Sequence, residues 1–262
     1  WYLNVHTTAN PNGEVRGQIV PDTTAVVTFS LSGSQEVPAV DTMAMGSGYA
    51  LFDTTNNNVS LVAVTTIENA TMAHIHTGFA GENGDVLVGL VESESTAGVW
   101  MTDGSIALDE ATATQLLAGG HYVNVHTAAN TGGEIRGQIT PDNIEVYGII
   151  ANGLQEVPAV TTTASGAGAF TLNTSTGALS GSVTITGMTA NMAHIHEGEM
   201  GVNGDVLIGL TAGTSGMWSV PANTTLTAEQ MNVMADGGLY TNFHSDAFPS
   251  GEIRGQITLG FD

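Results

Sequence analysis

Two histidine pairs, His74-Ile75-His76 and His194-Ile195-His196, stand in matching segments 120 residues apart. On an extended strand, residues two apart share a face, so each pair offers two imidazoles to one side. A third imidazole comes from a later strand-like run, NVHT with His126 in the first case and NFHS with His244 in the second. A further NVHT near the chain start carries His6. A lone His-x-His pair reads most simply as surface or hydrogen-bonded strand residues. Pairs that recur in register with a strand histidine instead predict three nitrogens about 2 Å from one metal ion, with copper the first choice and zinc the second.

The chain has three arginines and no lysine, and every arginine sits in one motif: GEVRGQI with Glu14 and Arg16, GEIRGQI with Glu134 and Arg136, and GEIRGQI with Glu252 and Arg254. The i, i+2 spacing predicts a Glu–Arg ion pair on one strand face, partly buried and clamping a hairpin. Glu36 and Glu156, in the two QEVPAV segments, are further candidate partners for the arginines. The other reading places each arginine beside an anion near the metal. Directly after each histidine pair comes a Gly-rich acidic loop, GFAGENGDV with Asp85 and GEMGVNGDV with Asp205. Either is a plain turn or a set of carboxylate and carbonyl oxygens for calcium, although the spacing is not that of an EF-hand. No nucleophile elbow or Ser-His-Asp order is visible.

These motifs must be held by a repeat. QEVPAV, AHIH and NGDVL each recur after 120 residues, while Arg254 follows Arg136 after only 118. The expected organisation is an N-terminal hairpin over 1–20, the closing piece of a third repeat, then full domains over 25–141 and 142–262. Short alternating runs rich in Val, Thr and Ile, broken by Gly, Asn and Asp, predict an all-β protein. Seven short strands per repeat predict two tandem Greek-key β-sandwich or barrel domains. One short helix precedes the histidine strand in each, capped by Asp109 and ending at Gly119 in the first, and capped by Thr227 with Gln230 in the second.

Composition excludes several functions. The net charge of −22 comes from missing cations, so no basic patch exists for nucleic acid or anionic membrane surfaces. Divalent cations suit such a chain. With no cysteine, disulfides and thiolate metal sites are absent. No run is apolar for long enough to span a membrane.

The ordered motifs L-x-G-x-QEVPAV, AHIH-x-G-x-x-G-x-NGDVLVGL and YVNVHT with GGEIRGQI resemble the CHRD domain, the family named after chordin. The resemblance covers both full repeats and, through its hairpin motifs, residues 1–20. It implies an extracellular or cell-surface β-sandwich and no settled enzymatic activity. A more limited similarity is to copper/zinc superoxide dismutase, where a His-x-His pair and a later strand histidine bind copper near an arginine. It would give these parts to His74, His76, His126 and Arg136, and to His194, His196, His244 and Arg254. The zinc loop, the bridging histidine and the disulfide of that family are missing.

The leading reading is therefore a secreted structural protein with a histidine metal site in each repeat. It assembles with itself, head to tail, by strand addition through the 1–20 hairpin. A hairpin alone is marginally stable, so it must pack on the next domain or on a neighbour, unless the sequence is a window from a longer tandem array. The alternatives are a copper redox enzyme and an adhesive or ligand-binding module.

Overall fold

The computed structural model describes residues 1–260. Strands β1 (Tyr2–Val5) and β2 (Val15–Gln18) form a two-stranded sheet of their own, joined to neither larger sheet. Repeat 1 contains β3 (Thr24–Ser32), β4 (Met45–Asp53), β5 (Asn58–Thr65), β6 (Met72–Thr77), β7 (Val86–Gly89), β8 (Val91–Glu92), β9 (Val99–Met101), β10 (Ile106–Ala107), helix α1 (Glu110–Leu117), β11 (His121–His126) and β12 (Ile135–Gln138). Repeat 2 contains β13 (Ile144–Asn152), β14 (Ser165–Asn173), β15 (Leu179–Thr186), β16 (Met192–Glu197), β17 (Val206–Gly209), β18 (Thr211–Ala212), β19 (Met217–Ser219), helix α2 (Ala228–Ala235), β20 (Leu239–His244) and β21 (Ile253–Leu259). The strand count exceeds the expected seven because β8, β9 and β10 are only two or three residues long. Such pieces are too short to show alternation in a sequence.

Repeat 1 follows the strand order β7-β6-β11-β12-β3-β4-β5-β9-β8. Three hairpin-linked strands, β3 to β5, are thus joined by β12, which returns from far along the chain to lie beside β3. That is the Greek-key pattern. The two ends of the order, β7 and β8, are separated in sequence by Leu90 alone. The sheet consequently curls round until one segment serves both ends, and its edges nearly close into a barrel. Repeat 2 has the same order over β13 to β21.

Alternation drives the burial. Along β3, Val27, Phe29 and Leu31 point inward while their neighbours face solvent. They meet Phe52, Leu61, Ile75, Trp100, Val123, Val125 and Ile135 in one core. Both helices start as their sequences require: Asp109 accepts from the Thr112 amide, and Thr227 and Gln230 form a reciprocal capping box. Strands β11 and β20 depart from the half-buried pattern, with all six residues of each buried. Their outer faces are covered by the segment after β3 or β13 and by the loop after the histidine pair. The two repeats also touch, since the Ala80 amide donates to Thr171 Oγ1 (3.3 Å) and Ser182 Oγ donates to the Gly81 carbonyl (3.0 Å).

Candidate metal centres

On β6, Ala73 and Ile75 enter the core, which leaves His74 and His76 on the outer face. Antiparallel pairing with β11 sets His76 opposite Tyr122 and His74 opposite Asn124, with His126 at the strand end. Residues directly opposite project to the same side, so the register alone collects the three imidazoles. One ring nitrogen from each of His74, His76 and His126 lies within 4.8 Å of the other two, and His194, His196 and His244 repeat the arrangement. His6 belongs to neither group; it stands exposed on the hairpin with its Nδ1 2.9 Å from the Pro11 carbonyl.

Hydrogen bonds select the tautomers. A carbonyl only accepts, so His76 Nδ1 carries the proton it donates to Gly84 O (3.0 Å), and His126 Nδ1 donates to Thr131 O (3.0 Å). In the neutral rings both Nε2 atoms are then unprotonated, and that of His126 accepts from His74 Nδ1. His126 Nε2 lies 3.1 Å from His74 Nδ1, and His76 Nε2 is buried with no hydrogen-bond partner. Repeat 2 duplicates this: His196 donates to Gly204 O and His244 to Pro249 O, each at 3.0 Å, and His196 Nε2 has no partner. Burial holds the pKa of His74, His76 and His126 below the ordinary histidine range, as it does for His194, His196 and His244. Near neutral pH the rings are therefore uncharged and able to ligate. A buried lone pair without a donor is costly unless a cation meets it.

The arginines support this geometry from behind. The Tyr122 ring stacks on His76, centroids 5.0 Å apart, and the Arg136 guanidinium carbon lies 3.5 Å from the centre of the Tyr122 ring. Arg136 is 1% exposed and donates to the carbonyls of Glu82 (2.7 Å) and Phe79 (2.8 Å) and to Gln138 Oε1 (2.9 Å). Arg254 does the same with Val202, Glu199 and Gln256, over Tyr240. The hydrogen bonds thus run to the loop backbone, where a carboxylate partner was expected. Glu134 instead accepts from Thr42 and Thr127, and Glu252 from Thr162 and Ser245. Arg16 lies over Tyr2, 3.8 Å from its ring centre, and Glu14 is exposed.

Glu36 and Glu156 come close to the arginines in another way. Each is buried and accepts from an asparagine amide, Asn124 or Asn242, at 3.3 Å. Burial raises the pKa of both to about 7. The positive charge of Arg136 or Arg254 pulls the other way and is outweighed. The Asp85 and Asp205 side chains are exposed. In the first of these loops the carbonyls of Phe79 and Glu82 accept from Arg136, that of Gly84 from His76, and that of Gly78 from Gln138.

The CHRD domain profile matches residues 1–19, 27–139 and 147–257. The chain belongs to the CHRD family. No curated protein and no solved structure matches the chain. The three matched stretches coincide with the hairpin, repeat 1 and repeat 2, so the hairpin is CHRD sequence in its own right. Its register, Tyr2 with Gln18 and Asn4 with Arg16, is that of Tyr122 with Gln138 and Asn124 with Arg136. Three residues of each CHRD repeat were missed as site components: Tyr122, Asn124 and Gln138, with Tyr240, Asn242 and Gln256. Their signal was present, since all recur at the repeat spacing beside the histidine and arginine.

Proposed function

We propose that this chain is an extracellular structural protein in which each CHRD repeat holds one transition-metal ion, copper first and zinc second, and which joins to further copies head to tail through the 1–20 hairpin. The carrying observation is the pair of histidine triads with tautomers set by backbone carbonyls. A ligand whose second nitrogen is tied to a carbonyl is the usual support of a protein metal site. All-imidazole ligation suits copper and zinc, and copper binds such donors more tightly.

The hairpin supports the assembly. Leu3, Val5, Val15 and Ile19 are exposed, while their counterparts Val123, Val125, Ile135 and Ile139 are fully buried. Strands β12 and β21 each pair with their own domain, so both described bodies already have a closing hairpin. Adding β1–β2 to a neighbouring body would cover this apolar surface, and a head-to-tail contact that does not close builds a filament. The redox-enzyme alternative gains less, because Tyr122 lies between His76 and Arg136 and the guanidinium is committed to the loop. Removing residues 1–20 tests the assembly: the shortened chain should stay small by light scattering where the full chain polymerises. Polymer growth at the same rate without the hairpin would refute it.

A further inference from the structure

In both repeats a methionine lies two residues ahead of the histidine pair on the same strand, at Met72 and Met192. Met72, His74 and His76 alternate along β6 and share its outer face, while Ala73 and Ile75 are buried in the core. The β6–β11 register sets Met72 directly opposite His126, and the β16–β20 register sets Met192 opposite His244. Opposed residues on one face have Cβ atoms about 5 Å apart, within reach of a long side chain. The Thr71 amide donates to the His126 carbonyl (2.8 Å) and the Asn191 amide to the His244 carbonyl (2.9 Å), so the strand start is fixed at this point.

Depth orders the site. His76 forms the floor against Tyr122, His74 is half-buried, and Met72 lies at the mouth, 47% exposed, with Met192 44% exposed. A methionine this exposed contributes little to the core, and its thioether can swing over the triad because three rotatable bonds carry it. The nearby carbonyls of Gly84 and Thr131 are already taken by ring N–H groups. Three neutral imidazoles and one thioether form a soft, uncharged set that fits monovalent copper and fits zinc poorly.

We propose that Met72 and Met192 are the fourth ligands of the two centres and make them selective for cuprous copper over zinc. The proposal rests on the copper reading given above. Its rival is Asp85 or Asp205, whose negative charge is felt at His76 or His196 and whose oxygens would favour divalent ions.

The full-length chain carrying Met72→Leu and Met192→Leu keeps the apolar bulk and removes only the sulfur. Loaded anaerobically with cuprous ion against a chromophoric chelator, it should bind about tenfold more weakly or worse, as expected when a metal's surroundings lose a contributing group. Zinc affinity should not change. X-ray absorption of the cuprous wild-type protein should show a sulfur neighbour that the variant lacks. Equal cuprous affinity in variant and wild type, or a wild-type spectrum with nitrogen neighbours alone, would overturn the methionine assignment and leave the triads intact. So would Asp85→Asn with Asp205→Asn lowering cuprous affinity where the methionine changes do not. A wild-type protein that takes up no copper in either state would overturn the copper reading and this inference together.

Discussion

Arg136 and His76 never touch, yet the ring of Tyr122 joins them, with His76 stacked on one side and the guanidinium on the other. Arg136 also holds the carbonyls of Phe79 and Glu82 in the loop whose Gly84 carbonyl fixes the His76 tautomer. One buried cation thus sets both the position and the protonation of a candidate ligand.

Replacing Arg136 by Met should therefore act twice. It leaves the Glu82 carbonyl and Gln138 Oε1 without this donor, while the Phe79 carbonyl keeps only the Glu82 amide, and each orphaned acceptor costs about 1–3 kcal/mol. The loop then releases His76, so repeat 1 should lose metal affinity while repeat 2 keeps its own. Thermal unfolding and metal titration of the same variant check both. An unchanged melting temperature would show that the guanidinium carries no structural load.

Acid should weaken repeat 1 through His121. This residue is fully buried, neither ring nitrogen has a hydrogen-bond partner, and burial lowers its pKa to about 4. The unfolded chain takes up the proton first, near 6.5. The stability is thus complete above 6.5 and is lost as the pH falls toward about 4. At about 1.4 kcal/mol per unit, the loss is on the order of 3 kcal/mol. Repeat 2 has Leu239 at the equivalent strand position. His121→Leu should flatten this acid limb in urea unfolding, and a limb of unchanged slope would contradict the assignment.

Glu36 and Glu156 should act in the opposite sense. Their folded pKa of about 7 exceeds the unfolded 4.5, so the folded state holds the proton. The contribution is complete below 4.5 and is lost as the pH rises through about 7. Protonated Glu36 also offers a donor beside Asn124 Oδ1, a buried acceptor with no partner. Glutamine mimics the neutral form. Glu36→Gln with Glu156→Gln should remove the decline toward alkaline pH, seen as a flatter melting temperature between pH about 5 and about 8. A decline that persists in the double variant would place its source elsewhere.

How far the sequence could be read depends on which groups carry the contacts. The histidine triads were legible because strand alternation and a fixed offset determine them together: His74 and His76 share a face, and His126 recurs with them. The helix caps were legible because Asp109 and Thr227 act on amides three residues away. The arginine partners were not, because the acceptors are backbone carbonyls of Phe79 and Glu82, and a carbonyl has no residue type to recognise. Glu134 misled for a related reason. It lies just ahead of β12, and two hydroxyls, Thr42 and Thr127, take its oxygens before any guanidinium can. The stack through Tyr122 required the β6–β11 register, which long-range pairing sets and local spacing does not.

Metal content tests the central claim most directly. The purified chain, stripped of metal and reloaded with copper, is predicted to hold one ion per triad, two per chain. His126→Ala and His244→Ala should each remove one ion, and the double variant should hold none tightly, with its fold retained by circular dichroism. Copper that stays at full content in the double variant, or a wild-type chain that takes up none, would contradict the account.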